Sequence, residues 1–151
     1  MTGKMSRNKG QRAEREFCKI LQTVIDDVYV GEEVKPKVKR NLMQTAEGGY
    51  DVKGIDWLAL EVKHQEALNL TAWWKQTLQQ AKAGQIPVLA YKQNRKPWRI
   101  RMPAYLGADV GALVEVSLED FLRYFSNRIQ AARSEVTYTL KRKLKSNANN
   151  N

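Results

Sequence analysis

Three residues near the middle of the chain have the types and the spacing that hydrolysis of a phosphodiester requires. Asp51 precedes Glu61, and Lys63 follows Glu61 by two positions. Carboxylate oxygens are the ligands that Mg²⁺ and Mn²⁺ prefer, and a bound cation lowers the pKa of its water so that hydroxide forms at neutral pH. A lysine beside the cation can orient that water and stabilise the developing charge. We therefore expect Asp51 and Glu61 to be metal ligands and Lys63 to position the water.

The residues around Glu61 alternate in a way that predicts a β-strand. From Trp57 to Lys63, leucine and valine side chains occupy every second position, and Glu61 and Lys63 lie between them. A period of two places alternate side chains on opposite faces of a sheet, so the carboxylate and the ammonium group share one face. In a chain with 28% charged residues, such a pair also arises on an ordinary solvated strand, which is the alternative interpretation.

The position of the second carboxylate depends on a turn. Breaks at Gly49 and Gly54 predict a strand or turn that brings Asp51 back toward Glu61. Asp56 is the competing aspartate, but it falls where the turn between the two strands is expected. We therefore favour Asp51 over Asp56 as the metal ligand.

Helices and strands alternate around this segment. A helix over about 9–27 has its apolar residues on one stripe and Glu14 at the edge of that stripe. Residues 29–47 show no clear period and indicate a ragged extended segment that ends in a turn. The other expected elements are strands over 50–54 and 57–63, a helix over 70–83, and strands over 86–91 and 98–102. This order predicts an α/β fold in which helices flank a mixed central sheet.

The two ends of the chain are polar and basic. We expect residues 1–8 to form a mobile arm, and Ser117 to start a last helix that ends near residue 133. Residues 137–151 combine a basic run with asparagines, which predicts a disordered tail. The organisation expected is therefore one domain over 1–136 followed by this tail.

Composition narrows the class of partner. The 151 residues suffice for one core, and a net charge of +10 with a pI near 9.8 favours a polyanion, most simply nucleic acid. No apolar run is long enough to span a membrane, and the polar start does not resemble a signal peptide. The single cysteine, Cys18, cannot form an internal disulfide, so we expect an intracellular, cytoplasmic protein with an inert thiol.

Basic residues on either side of the strand of Glu61 are candidates for DNA phosphate contacts. The alternative is a basic surface that only keeps the protein soluble. On the helix over 70–83, Trp73 and Trp74 offer stacking surface, although one of the two is expected in the core. The candidate DNA-binding residues are Lys53, Lys75, Gln76, Arg95, Lys96, Arg99 and Arg101.

Two motifs resemble those of archaeal-type Holliday-junction resolvases, which are PD-(D/E)XK nucleases. The opening Lys9-Gly10-Gln11-Arg12-Ala13-Glu14-Arg15-Glu16 is similar to their first helix, and Asp51 with Glu61-Val62-Lys63 resembles their nuclease motif. The resemblance covers about residues 9–102. It implies the restriction-endonuclease-like fold, Glu14, Asp51, Glu61 and Lys63 as catalytic residues, Glu14 as a third metal ligand beside Asp51 and Glu61, and Mg²⁺ or Mn²⁺ as cofactor. It also implies a homodimer that cuts four-way junctions.

This chain also departs from the resolvase pattern. No proline precedes Asp51, the spacing from Asp51 to Glu61 is shorter, and residues 103–151 have no counterpart. These departures indicate a divergent member, encoded by a bacteriophage or a bacterium. Two alternatives remain open at this point: a nuclease of the same chemistry that acts on flaps, ends or duplex, and a non-catalytic basic module that binds nucleic acid.

Overall fold

The protein is described by a computed structural model over residues 3–43, 49–104 and 111–149. The helices are α1 (Gly3–Val28), α2 (Leu70–Gln80) and α3 (Leu118–Ala148), and the strands are β1 (Lys39–Arg40), β2 (Val52–Lys53), β3 (Leu58–His64), β4 (Ile86–Lys92), β5 (Arg99–Ala104) and β6 (Ala112–Ser117).

The main sheet has four strands in the order β3-β4-β5-β6. Strands β3 and β4 run parallel and are joined through α2, because a parallel pair needs a crossover connection. The other two pairings, β4 with β5 and β5 with β6, are antiparallel. Strands β1 and β2 form a separate two-stranded antiparallel ribbon. This mixed sheet with flanking helices confirms the predicted α/β, restriction-endonuclease-like fold.

The two faces of the sheet are covered by different helices. Helices α1 and α3 pack on the face that carries Leu58, Leu60 and Val62, and Phe17 of α1 stacks edge-on against Trp98. Helix α2 covers the opposite face through Trp73, which packs with residues of β4. The period of two in β3 explains the division, because it directs Glu61 and Lys63 toward the face of α2.

Some predicted boundaries were wrong. The expected mobile arm over 1–8 is helical from Gly3, so α1 is longer than the 9–27 predicted. Helix α2 ends at Gln80 instead of residue 83, and Asn69 precedes it without a capping side-chain hydrogen bond. Strand β6 was not predicted, and none of its residues is fully buried, so no buried face marks it in the sequence.

The C-terminal segment also differs from the prediction. The last helix was expected to end near residue 133 and to be followed by a disordered tail over 137–151. In the structure α3 continues without a break to Ala148, and Ser117 caps its start by accepting a hydrogen bond from the backbone N–H of Asp120 at 3.1 Å. Within the described residues, no helix has the length and apolarity needed to cross a membrane.

Candidate active site

Glu61 is the most deeply buried charged residue of the site. It lies on β3 and is 2% exposed. Its Oε1 atom accepts a hydrogen bond from Lys63 Nζ at 2.9 Å, whereas Oε2 is buried and has no partner among the described residues. Burial, followed by the negative charge of Asp51, raises the pKa of Glu61 to about 7. A buried carboxylate with an unmet oxygen is a suitable ligand for a cation.

Asp51 is held against β3 by backbone hydrogen bonds. Its N–H donates to the carbonyl of Leu60 at 2.9 Å, and its Oδ2 accepts from the N–H of Val62 at 2.7 Å. On its other side, the carbonyl of Asp51 accepts from the N–H of Asn41 at 2.8 Å. These bonds fix a buried carboxylate beside Glu61 at the outer edge of β3.

The competing aspartate lies elsewhere. Asp56 is exposed in the turn before β3, and its backbone carbonyl accepts a hydrogen bond from Gln85 Nε2 at 3.1 Å. The geometry thus favours Asp51 over Asp56 as a partner of Glu61.

Helix α1 contributes a third carboxylate. The Oε2 atom of Glu14 accepts a hydrogen bond from Arg40 Nε at 2.7 Å, and both side chains are mostly buried. Glu14, Asp51, Glu61 and Lys63 line one pocket of about 240 Å³, and Gln76 of α2 lines it too. We call this the acidic pocket. The structure therefore brings together all four residues that the sequence suggested as catalytic.

The acidic pocket fits a divalent cation only in part as it stands. Among the described residues, no three carboxylate, histidine or cysteine side chains are grouped so that they could hold a metal ion. The ion pairs give a reason, because Arg40 engages Glu14 and Lys63 engages one oxygen of Glu61. Glu61 Oε2, which accepts no hydrogen bond within the described residues, lies beside buried Asp51 and does fit a cation. A cation there would relieve the repulsion between the two carboxylates, which contributes to the raised pKa of Glu61.

The predicted DNA-binding residues lie on several elements, and Gln76 alone among them lines the acidic pocket. Lys75 is exposed next to Gln76 on α2. Lys53 is exposed on β2, and Arg95 and Lys96 are exposed in the turn between β4 and β5.

Arg99 and Arg101 have a different environment. They lie on β5 and form ion pairs with Glu115 of β6 at 3.3 and 3.1 Å. Burial raises the pKa of Glu115, but hydrogen bonds from Tyr91 and Arg101 outweigh that effect and lower it. One carboxylate therefore offsets about half of the charge of these two arginines.

Two features of the site were missed from the sequence. Arg40 lies in the segment over 29–47, where no period pointed to it. The second feature is a groove of about 750 Å³ beside the acidic pocket, and we call it the basic groove. Lys9 and Arg12 of α1 line it, and their spacing of three on one helix was the signal that could have shown a common surface.

His64 and Cys18 both lie close to the carboxylates of the acidic pocket. The ring of His64 lies 3.0 Å from Asn94 Oδ1, and the residue lines both the acidic pocket and the basic groove. Burial, with the nearby charge of Glu14, raises the pKa of Cys18 to about 11. A thiol with that pKa stays protonated at neutral pH, which agrees with the expected inert cysteine.

Comparison with known protein families shows to which class of enzyme the chain belongs. Residues 5–148 match the model of the family described as "Phage putative PDDEXK endonuclease". The chain belongs to this family. The predicted PD-(D/E)XK superfamily is thereby confirmed, and with it a PDDEXK-type nuclease. PDDEXK endonucleases generally depend on a divalent metal and act on DNA. No curated protein matches this PDDEXK endonuclease.

Proposed function

We propose that this PDDEXK endonuclease is a metal-dependent endodeoxyribonuclease that cuts branched DNA and resolves four-way junctions by paired phosphodiester hydrolysis. The observation that carries the proposal is the buried Glu61, which has one oxygen on Lys63, one unmet oxygen, and Asp51 and Glu14 in the same pocket. A buried group of like charges is costly to folding, so its presence calls for a functional reason, and membership of a nuclease family supplies one.

Each residue of the acidic pocket has a role in this proposal. Asp51 and Glu61 would hold Mg²⁺ or Mn²⁺, and Glu14 would be a third ligand if it were released from Arg40. The bound cation supplies Lewis acidity and lowers the pKa of a bound water. Lys63 Nζ orients the attacking water and stabilises the negative charge on the phosphate. Gln76 and Lys75 of α2 contact the phosphate next to the metal.

DNA binding is assigned to the basic surface around the pocket. The net charge of +10 attracts any form of DNA, and the candidate contacts are Lys53, Lys75, Arg95, Lys96, Arg99 and Arg101. Charge alone does not distinguish a junction from a duplex. Junction preference is therefore assigned to a homodimer that presents two acidic pockets to one branched substrate. We place this activity in the cytoplasm of a bacterium, with the protein encoded by a phage that infects it.

The chemistry is tested with three variants and a matched control. We expect Asp51→Asn, Glu61→Gln and Lys63→Ala to reduce Mg²⁺-dependent cleavage at least about 1000-fold while DNA affinity is kept. Asp56→Asn removes an exposed carboxylate of the same type and should cut like the wild type. Wild-type activity in Glu61→Gln, or a comparable loss in Asp56→Asn, would show that the pocket is not the catalytic centre.

The substrate is tested by competition. A four-way junction and a linear duplex of the same sequences are incubated together with enzyme and Mg²⁺, and the initial rates of cutting are compared. We expect the junction to be cut preferentially, with symmetric paired nicks. Equal cutting of both would support a nuclease but reject junction resolution as its function. If flapped or free-ended DNA, tested in the same way, were cut preferentially, that DNA would be the substrate instead.

A further inference from the structure

Helix α3 is much longer than the part that the core uses. Its buried residues are Phe121, Phe125 and Ile129, all in its first half. Its last described contacts with the body come from Arg133, which forms an ion pair with Glu32 and lies 5.6 Å from the ring centre of Tyr29. From residue 134 to residue 149 every residue is exposed. At 1.5 Å per residue, residues 134–148 extend about 22 Å beyond that contact; we call them the exposed half of α3.

The exposed half carries an apolar stripe. Val136, Leu140 and Leu144 are spaced by four residues and are 57% to 69% exposed. At 100° per residue, Val136 and Leu140 lie within about 60° of Phe125, whereas Leu144 lies about 100° from it, so the stripe turns gradually away from the buried face. An isolated helix of this length is marginal in water, and exposed leucines on one stripe add no stability to it. The stripe therefore indicates a surface that is covered in the functional state.

The surface that complements this stripe occurs in the chain itself. The exposed half is basic at its tip, where four of the five residues over 141–145 are lysine or arginine. Residues 26–33, at the end of α1, contain four acidic residues and no basic one, and we call them the acidic corner. Asp26 and Glu32 form ion pairs with Lys35 and Arg133 of the same chain, so Asp27 and Glu33 are the carboxylates offered to a partner. Val30, in this corner, and Val34, next to it, are 75% and 87% exposed. One surface is thus apolar and basic, and the other is apolar and acidic.

The two surfaces are arranged so that two copies can cover each other. The acidic corner lies at the base of the exposed half, because Arg133 contacts Glu32 and Tyr29 there. If two exposed halves pack antiparallel with Leu140 at the centre, Leu144 of one copy faces Val136 of the other. The basic tip then reaches the acidic corner of the second copy. A parallel arrangement would instead place the two basic tips side by side.

We propose that the exposed half of α3 is a self-association surface, on which a second copy of this chain docks in antiparallel orientation with its basic tip on the acidic corner. A symmetric pair of this kind is closed, because each copy offers the same stripe and the same corner. The apolar contact is small compared with stable interfaces, so the dimer dissociates in the micromolar range and weakens with salt. The proposal deepens the proposed function, since paired nicks need two copies.

The first experiment measures the mass of the protein by sedimentation equilibrium without DNA or metal, from about 1 to 200 µM. We expect a monomer–dimer equilibrium. Leu140→Glu should weaken it at least about 100-fold, because the change counts twice in a symmetric interface. The matched control is Tyr138→Glu, which removes another exposed apolar side chain but points about 160° away on the helix. It should dimerise like the wild type.

The outcomes separate clearly. Leu140 is 57% exposed, so its replacement should leave the fold intact, and circular dichroism checks this. Leu144→Glu, a second variant on the same stripe, should behave like Leu140→Glu. A wild type that stays monomeric at 200 µM would overturn the proposal. So would Leu140→Glu dimerising like the wild type, or Leu140→Glu and Tyr138→Glu losing dimerisation equally.

A charge exchange tests the orientation. Asp27→Lys with Glu33→Lys should weaken the dimer at 50 mM NaCl, and Lys143→Glu with Lys145→Glu should do the same. Combining all four substitutions should restore at least half of the lost affinity, because opposite charges face each other again. A combined variant weaker than either pair would reject the contact between tip and corner.

This experiment is independent of nuclease activity. If Leu140→Glu is monomeric but still nicks duplex DNA, the dimer inference holds and the nuclease chemistry is intact. If the wild type dimerises but cuts no DNA, the proposed function fails and the inference stands. If Leu140→Glu changes the affinity for DNA but leaves the monomer–dimer dissociation constant unchanged, the exposed half is a DNA-binding arm, and self-association is rejected.

Discussion

At the scale of single residues, Glu61 links stability to pH. In the folded protein burial raises its pKa to about 7, against an ordinary value near 4.5 in the unfolded chain. The folded state therefore binds the proton more tightly, and the free energy of unfolding falls as pH rises between about 4.5 and 7. The difference corresponds to on the order of 3 kcal/mol.

Replacing Glu61 by a neutral residue should remove this loss of stability at high pH. We expect Glu61→Gln to be more stable than the wild type at pH 8 by about 2–3 kcal/mol, and to differ little from it at pH 4.5. Urea unfolding in EDTA-containing buffer at both pH values measures the difference. Glu119→Gln, at an exposed position of α3, serves as control and should show no such gain. A wild-type stability that does not change between pH 4.5 and 7 would contradict the raised pKa.

Arg40 competes with a metal for Glu14. Because Arg40 Nε lies 2.7 Å from Glu14 Oε2, a cation that recruits Glu14 must first displace the arginine. We expect Arg40→Gln to bind Ca²⁺ or Mn²⁺ about 3- to 10-fold more tightly by calorimetry, because the competing charge is gone. Lys39→Gln, an exposed neighbour on the same strand, should bind like the wild type. An unchanged affinity in Arg40→Gln would show that Glu14 is not a ligand.

At the scale of elements, Gly54 fixes the ribbon that carries Asp51 toward β3. Its φ of 113° is in the left-handed region, and a Cβ atom there would overlap the carbonyl oxygen of Lys37. We expect Gly54→Ala to lower the free energy of unfolding by about 3 kcal/mol or more. Gly84 also has a positive φ, of 82°, but a Cβ atom would meet nothing within 4 Å. Gly84→Ala should therefore cost only about 1 kcal/mol in the same urea titration, and equal costs would refute the role of the close contact.

The elements also show what the sequence could reveal. Strand β3 and the helical stripes were predictable because burial imposes a regular period on their residues. Strand β2 was also expected, within residues 50–54. Strands β1 and β6 were not, because β1 has only two residues and β6 is mostly exposed, so burial imposes no period on them. For the same reason Glu61 and Lys63 could be paired from spacing alone, whereas Arg40 could not be placed beside Glu14 before the fold was known.

At the scale of the whole molecule, the net charge of +10 makes DNA binding depend on salt. Each phosphate contact adds about 0.9 to the slope of log K against log salt concentration. Lys9 and Arg12 line the basic groove next to the acidic pocket. We expect Lys9→Gln with Arg12→Gln to reduce the slope by about 1 to 2, measured by fluorescence anisotropy between 50 and 300 mM NaCl.

The matched pair for this measurement is Arg99→Gln with Arg101→Gln. It removes the same charge, but Arg99 and Arg101 lie 3.3 and 3.1 Å from Glu115, whereas the ion pair of Lys9 with exposed Glu66 is longer, at 3.8 Å. We expect a smaller change in slope, of less than about 1. An equal or larger change than that of the groove pair would assign the DNA path to β5 instead of the basic groove.

The hydrogen bond from Val62 to Asp51 has a consequence for aggregation. Strand β3 is the outer strand of the main sheet, and an outer strand with free N–H groups can recruit a strand from another molecule. The carboxylate of Asp51 accepts a hydrogen bond from one of these groups, the N–H of Val62, and the backbone N–H of Asp51 donates to the carbonyl of Leu60. We expect Asp51→Ala to precipitate on heating where Asp51→Asn stays in solution, as light scattering would show, because the amide oxygen can still accept from Val62. The residue proposed to hold the metal would then also prevent the sheets of two molecules from pairing edge to edge.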